Sequence, residues 1–157
     1  MKKLFYYMAV VAVTLTFTAC GSKGPKFETG DAPDSVKKVA LMIHSAFQEE
    51  PEEGLTYEGI EVINKDIIAT ITMDESQMHG MTMTQAMRAN GINPSDFQNN
   101  IKNGMISSIK SDPESALLLP AFQSCGYDIV IRIQGSASKE TLDVVLEHDL
   151  WNDPYLY

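Results

Sequence analysis

Residues 127–134 alternate without a break: Tyr127, Ile129, Ile131 and Ile133 share one parity, and Asp128, Val130, Arg132 and Gln134 the other. Successive side chains of a strand point to opposite faces, so the run predicts a strand with one dry face. A second alternating run, 141–148, follows across the polar segment 135–139 and carries Leu142, Val144 and Leu146 inward. Matching apolar to apolar pairs Ile133 with Leu142, Ile131 with Val144 and Ile129 with Leu146. That register sets Arg132 opposite Asp143, a favourable cross-strand pair. It also sets Asp128 opposite Glu147, two like charges that mark a solvated face or a cation site.

An earlier hairpin, 57–64 and 67–74, turns at Asn64-Lys65-Asp66. Pairing Ile60 with Ile71 and Val62 with Ala69 gathers four apolar side chains on one face. The other face carries Glu61, Ile63, Ile68, Thr70 and Thr72. A helix over 33–49 precedes this hairpin, with Val36, Val39, Ala40, Ile43 and Phe47 as its apolar stripe. A second helix starts at Asn93-Pro94-Ser95-Asp96, where a cap, a proline and an acid fall in order, and runs to about 110 along Phe97, Ile101, Met105 and Ile109. A shorter one opens at Asp112-Pro113-Glu114; Pro120 should interrupt it and Gly126 cap it. Four strands dry on one side need a cover, and the amphipathic helices supply it. The expected fold class is α+β: an antiparallel sheet of about four strands, in two hairpins, with helices packed on one face.

The chain has 157 residues, 44% of them hydrophobic, which is enough for one packed domain. Its 12 basic and 21 acidic residues give a formal charge of -9, the wrong sign for nucleic acid, whose affinity rests on basic patches. Two cysteines are too few for a disulfide scaffold.

The first twenty residues are not domain structure. Lys2 and Lys3 form a positive head, residues 4–17 carry no charge, and Thr18-Ala19-Cys20 closes the run. At about 1.5 Å per residue the uncharged run spans ~21 Å, too short to cross a bilayer as a helix but right for a secretory apolar region. Phe17-Thr18-Ala19-Cys20-Gly21 resembles the lipobox of bacterial lipoproteins, with Phe17 where leucine is usual. The resemblance implies cleavage before Cys20, lipidation of its sulfur and acylation of its new amine. Several acyl chains, at about 0.8 kcal/mol per buried CH₂, hold firmly where one is marginal. Gly21 after the cysteine resembles the pattern sorted to the outer membrane of a Gram-negative cell envelope. The expected organisation is a signal peptide over 1–19, a lipidated N-terminus and flexible Gly-rich tether over 20–31, and a single α+β domain over 32–157. Loss of Lys2 and Lys3 takes the basic count from 12 to 10 against 21 acids, a net charge of -11. Cys125 is then left without a partner in its own chain and reads as a small buried hydrophobe.

Catalytic signatures are missing from the sequence. There is no Gly-x-Ser-x-Gly elbow, phosphate loop, dinucleotide fingerprint or EF-hand spacing. His44 sits one position from the first helix's stripe and reads as a boundary residue. His148, between Glu147 and Asp149, is a weak metal hint, because a zinc site needs three or four convergent ligands. One segment stands out. Met73, Met78, Met81, Met83 and Met87 are five of the seven methionines left after cleavage, and His79 lies among them. Met78-His79-Gly80-Met81-Thr82-Met83 resembles the Met/His segments of periplasmic copper-handling proteins, and thioethers suit Cu(I). The same residues also read as structure, since Thr82-x-x-Gln85 is a capping box and Met83, Ala86 and Met87 then face inward on a short helix. At the chain's end, Leu150, Trp151, Tyr155, Leu156 and Tyr157 either fold back over the core or dock to a partner.

The reading is a membrane-anchored, non-catalytic envelope lipoprotein that binds a ligand or protein partner, without cofactor. Beyond the lipobox, the order of helices and hairpins resembles small extracytoplasmic lipoprotein domains of unassigned function. The outer hairpin face, with Ile63, Ile68, Val130 and Val145, is apolar enough to suggest cover by a partner or by a second copy in a homodimer. The alternative is a periplasmic copper-binding lipoprotein using Met78, His79, Met81 and Met83.

Overall fold

The computed structural model describes residues 24–48, 54–76, 78–111 and 119–152. Their chain order is β1 (Lys26–Glu28), α1 (Asp34–Gln48), β2 (Leu55–Ile63), β3 (Asp66–Met73), α2 (Met83–Ala89), α3 (Pro94–Ser111), α4 (Leu119–Cys125), β4 (Asp128–Gly135) and β5 (Thr141–Leu146). A 3₁₀ turn, His148–Asn152, follows. Cys20, the proposed cleavage site, the start of the short helix at 112–118 and the tail Tyr155, Leu156 and Tyr157 lie outside the described residues.

The five strands form one sheet in the order β1-β2-β3-β4-β5. β2 with β3 and β4 with β5 are antiparallel hairpins, as the alternation requires. The expected purely antiparallel, four-stranded sheet is corrected at two places. The hairpins join through a parallel β3–β4 pairing, because the chain between them carries helices and must return on the same side of the sheet. The fifth strand is β1, in the segment read as tether, and it pairs parallel to β2 through Lys26↔Gly59, Phe27↔Ile60 and Glu28↔Glu61. A three-residue edge strand with no buried side chain leaves no alternation to detect.

Periodicity identified the inner face correctly. Ile60, Ile67, Ala69, Ile71, Ile129, Ile131 and Ile133 are all at most 6% exposed and join one core with Leu142, Val144 and Leu146. That core takes in Val36, Val39, Ala40 and Ile43 of α1, Met83 and Met87 of α2, Ile101 and Met105 of α3, and Leu119, Phe122 and Cys125 of α4. Each such aliphatic burial contributes roughly 1.5–3 kcal/mol. Trp151, at 0% exposure, stacks on Phe122 with ring centroids 5.2 Å apart, so the start of the terminal segment folds back over the core.

The second hairpin has the expected register, including Arg132↔Asp143. The first is displaced. Ile60 faces Ala69 and Val62 faces Ile67, not Ile71 and Ala69. The turn is the two residues Asn64 and Lys65, both at positive φ (52° and 70°), a backbone twist that suits a tight hairpin. Further along, a bulge between Tyr57 and Gly59 lets Leu55 and Tyr57 rejoin the inner side. The sequence pattern could not fix this register, because a shift of two residues keeps every side chain on its face.

Both sheet edges are restrained. Gln98 Nε2 on α3 donates to the Asp143 carbonyl of β5 at 2.7 Å. At the other edge β1 runs so close that a Cβ at Gly59, whose φ is +135°, would lie 2.2 Å from the Lys26 carbonyl oxygen. Gly59→Ala should therefore release β1 and cost about 1–3 kcal/mol through strain. Hydrogen exchange should show faster exchange at Lys26–Glu28 while β3 and β4 stay protected; unchanged protection of β1 would refute the steric account.

Candidate functional site

The helices all share the core on one side of the sheet, and no described element packs on the other. The pairings place the outer-face residues in rows. One row is Glu28, Glu61, Ile68, Val130 and Val145; the next is Lys26, Gly59, Thr70, Arg132 and Asp143; then come Thr72, Gln134 and Thr141. The apolar character expected of this face is mostly hidden. Ile68 and Val130 are 6% and 5% exposed, and only Ile63, at 46%, is openly so. Arg132 donates to Asp143 through Nε (2.9 Å) and Nη2 (2.8 Å), a two-point pair that raises the guanidinium's pKa.

Between β1 and β4 this face is hollowed, with a volume of about 360 Å³. The backbone of Lys26 lies where a Gly59 side chain would be, so β1 packs directly on β2 beside the bulge and borders the hollow. Thr70, Thr72 and Gln134 line the hollow with two hydroxyls and an amide; Glu28, Glu58 and Glu61 stand around it with Lys26 and Lys139. The lining offers hydrogen-bond donors and acceptors among mixed charges. Sequence reading missed the hollow, since a concavity bordered by a bulge and a three-residue strand has no linear signature.

Glu75 was also missed. It is 5% exposed, and its carboxylate accepts from the Met83 amide (Oε1, 2.9 Å), the Ala137 amide (Oε2, 2.9 Å), the Ser138 amide (Oε2, 2.7 Å) and the Ser138 hydroxyl (Oε1, 2.8 Å). A Cβ at Gly135 would come within 2.4 Å of Oε1, so glycine makes room for the carboxylate. Beside it Glu140 accepts from the Thr84 amide at 3.0 Å and from the Thr84 hydroxyl. Two carboxylates thus fasten the β4–β5 turn to the start of α2, where acids also suit the helix dipole. The expected capping box is present, with Thr82 N donating to Gln85 Oε1 at 3.0 Å.

The Met/His segment is split by this arrangement. Met83, at 1% exposure, is a core residue held by Glu75. Met78 and Met81 are half-buried in the preceding turn, where the Met81 amide donates to the Met78 carbonyl at 3.0 Å. His79 is exposed at φ +52°. Among the described residues no group of three or more His, Cys, Asp or Glu is placed to hold a metal ion.

The remaining candidates each have partners within the fold. His44 is 8% exposed, lies 5.0 Å from the Phe27 ring and 5.5 Å from the Tyr57 ring, and is lowered in pKa by burial. With Gln48 Nε2 donating to Nε2 at 2.8 Å, the ring proton sits on Nδ1 and goes to the Tyr57 hydroxyl, also at 2.8 Å. The repulsion expected between Asp128 and Glu147 is relieved by separate partners. Asp128 accepts from the backbone and ring of His148 at 2.8 and 2.7 Å, and Glu147 pairs with Lys102. Cys125 is buried, its thiol pKa raised by that burial. No described helix is long and apolar enough to cross a membrane.

No protein-family model matches the chain, and no curated protein matches it either. Among solved structures, the crystal structure of a candidate secreted protein from Pseudomonas aeruginosa is similar at a TM-score of 0.44 and 14% identity, over 71% of this chain and 85% of that one. A likeness this distant transfers neither fold nor function.

The Glu75 clasp has a clear pH signature. The Ser138 amide and hydroxyl, with the Ala137 and Met83 amides, hold its pKa at about 2, against 4.5 for a free carboxyl. A depressed folded pKa stabilises the fold fully above pH 4.5, and that contribution is lost as pH falls to 2. Glu75→Gln should lower the urea midpoint at neutral pH by about 1 M and flatten its decline in that acid window. A variant that keeps the parent's acid slope would show that another carboxylate carries it.

Proposed function

We propose that this chain is a lipid-anchored, non-catalytic binding protein of the bacterial cell envelope, fastened through Cys20 and holding a small polar ligand in the hollow of its outer sheet face. The observation that supports the binding part is the placement of Thr70, Thr72 and Gln134 in a hollow on the sheet face opposite the described helices. Hydroxyls and an amide both donate and accept, and the mixed charges of Glu28, Glu58, Glu61, Lys26 and Lys139 suit a hydroxyl- or amide-rich ligand better than a simple ion. The anchoring part is supported by the order of basic head, uncharged run, small residues and Cys20, and outer-membrane sorting by Gly21.

Titrating the soluble domain with short saccharides and peptides should shift the NMR signals of Gly59, Thr70, Thr72 and Gln134. Thr70→Val/Thr72→Val should weaken that binding about tenfold or more, for two lost hydrogen bonds, with little change in Tm. Shifts centred elsewhere would discard the hollow as the site. Separately, the mature protein from membranes should have a mass that starts at Cys20 and includes acyl chains, and Cys20→Ala should abolish both. An unmodified, uncleaved chain would remove the anchor.

A second reading keeps Cu(I) as the ligand of the loop, favoured by the single turn that brings Met78, His79 and Met81 together. Met78→Leu/Met81→Leu should then abolish Cu(I) binding in a competition titration; equal affinity in the variant would reject copper.

A further inference from the structure

β1 fixes more than a sheet edge. Cys20 lies six residues before Lys26, so a fully extended chain carries its sulfur at most about 20 Å from that strand. The parallel register gives this leash a direction. Lys26 pairs with Gly59, which faces Thr70, and upstream of Lys26 the strand heads toward Leu55, the start of β2. Leu55 faces Met73, the last residue of β3, and Met73 faces Gly135, the last of β4. From the level of Thr70 to that end of the sheet is three residues, or ~10 Å. The leash therefore clears this end with about 10 Å to spare. To leave by the opposite end, it would have to reverse at once and spend most of its length running back.

We propose that the end of the sheet bearing the Met78–Met81 loop and the Ser136–Lys139 turn faces the lipid leaflet, and that the opposite end, with the Asn64–Lys65 turn and His148, points away from it. The proposal rests on lipidation at Cys20. The length and direction of the leash alone set this orientation. The hollow, bordered by β1 itself, then opens sideways within reach of the membrane surface.

The test uses the full, lipidated protein in vesicles of phosphatidylethanolamine and phosphatidylglycerol, in a Cys125→Ala background. A fluorophore is attached at Ala137→Cys, on the β4–β5 turn, or at Asp149→Cys, roughly 25 Å away along the sheet; both positions are exposed. A quencher carried on lipid headgroups should cause the greater loss of fluorescence at 137. Doubling the leash with a Gly/Ser insertion after Lys23 should bring the two losses together, since reach grows with length. Equal or reversed quenching in vesicle-bound protein overturns the orientation alone. A difference that survives the longer leash overturns the leash as its cause. Protein that carries no lipid and fails to float with the vesicles overturns the anchor, and the orientation with it.

Discussion

Alternating aliphatic residues on β2 to β5 leave one side of the sheet that must be kept from water, and the remaining architecture follows from meeting that demand. The helices have to lie on that side. The chain leaving β1 and the chain leaving β3 therefore each cross the same face and come back parallel to the strand they left. With the described helices committed to one layer, no described element packs on the opposite face. A one-sided helical layer and a mixed sheet are thus two results of one hydrophobic constraint.

Few polar groups interrupt the interior, and those that do bind one part of the fold to another. Glu75 replaces water with three backbone amides and a hydroxyl, drawn from α2 and from the β4–β5 turn. His44 has both ring nitrogens satisfied by Tyr57 and Gln48, and it supports Phe27 of β1 from below. A buried carboxylate or imidazole without such partners would cost far more than it returned. These contacts explain why the loop after β3 and the strand β1, neither of which buries much apolar surface, still have defined positions.

Much of this could be read in the linear pattern, and the failures have physical causes. The inner faces, the capping box at Thr82, the β4–β5 register and the cross-strand Arg132–Asp143 pair were all legible, because each depends on residues near in sequence or on parity. The β2–β3 register was not, since turn geometry at Asn64 and Lys65 decides it and both candidate registers bury the same residues. β1 was invisible because exposed edge residues carry no period. Glu75 stood in a segment notable for methionine, and nothing local says that a glutamate will meet amides sixty residues away. Burial of Met83 likewise separated the Met/His run into core and loop.

The sequence by itself determined the inner faces of β2 to β5, the starts of α1 to α3 and the chain's acidic balance. Local sterics and the hydrophobic effect act through spacing, and spacing is written in the chain. Only the tertiary structure decided that the two hairpins meet in parallel, that a hollow lies on the outer face between β1 and β4, and that a short edge strand points the N-terminal segment toward one end of the sheet. Those features depend on which distant backbones come within hydrogen-bonding range, a property that no stretch of residues possesses alone.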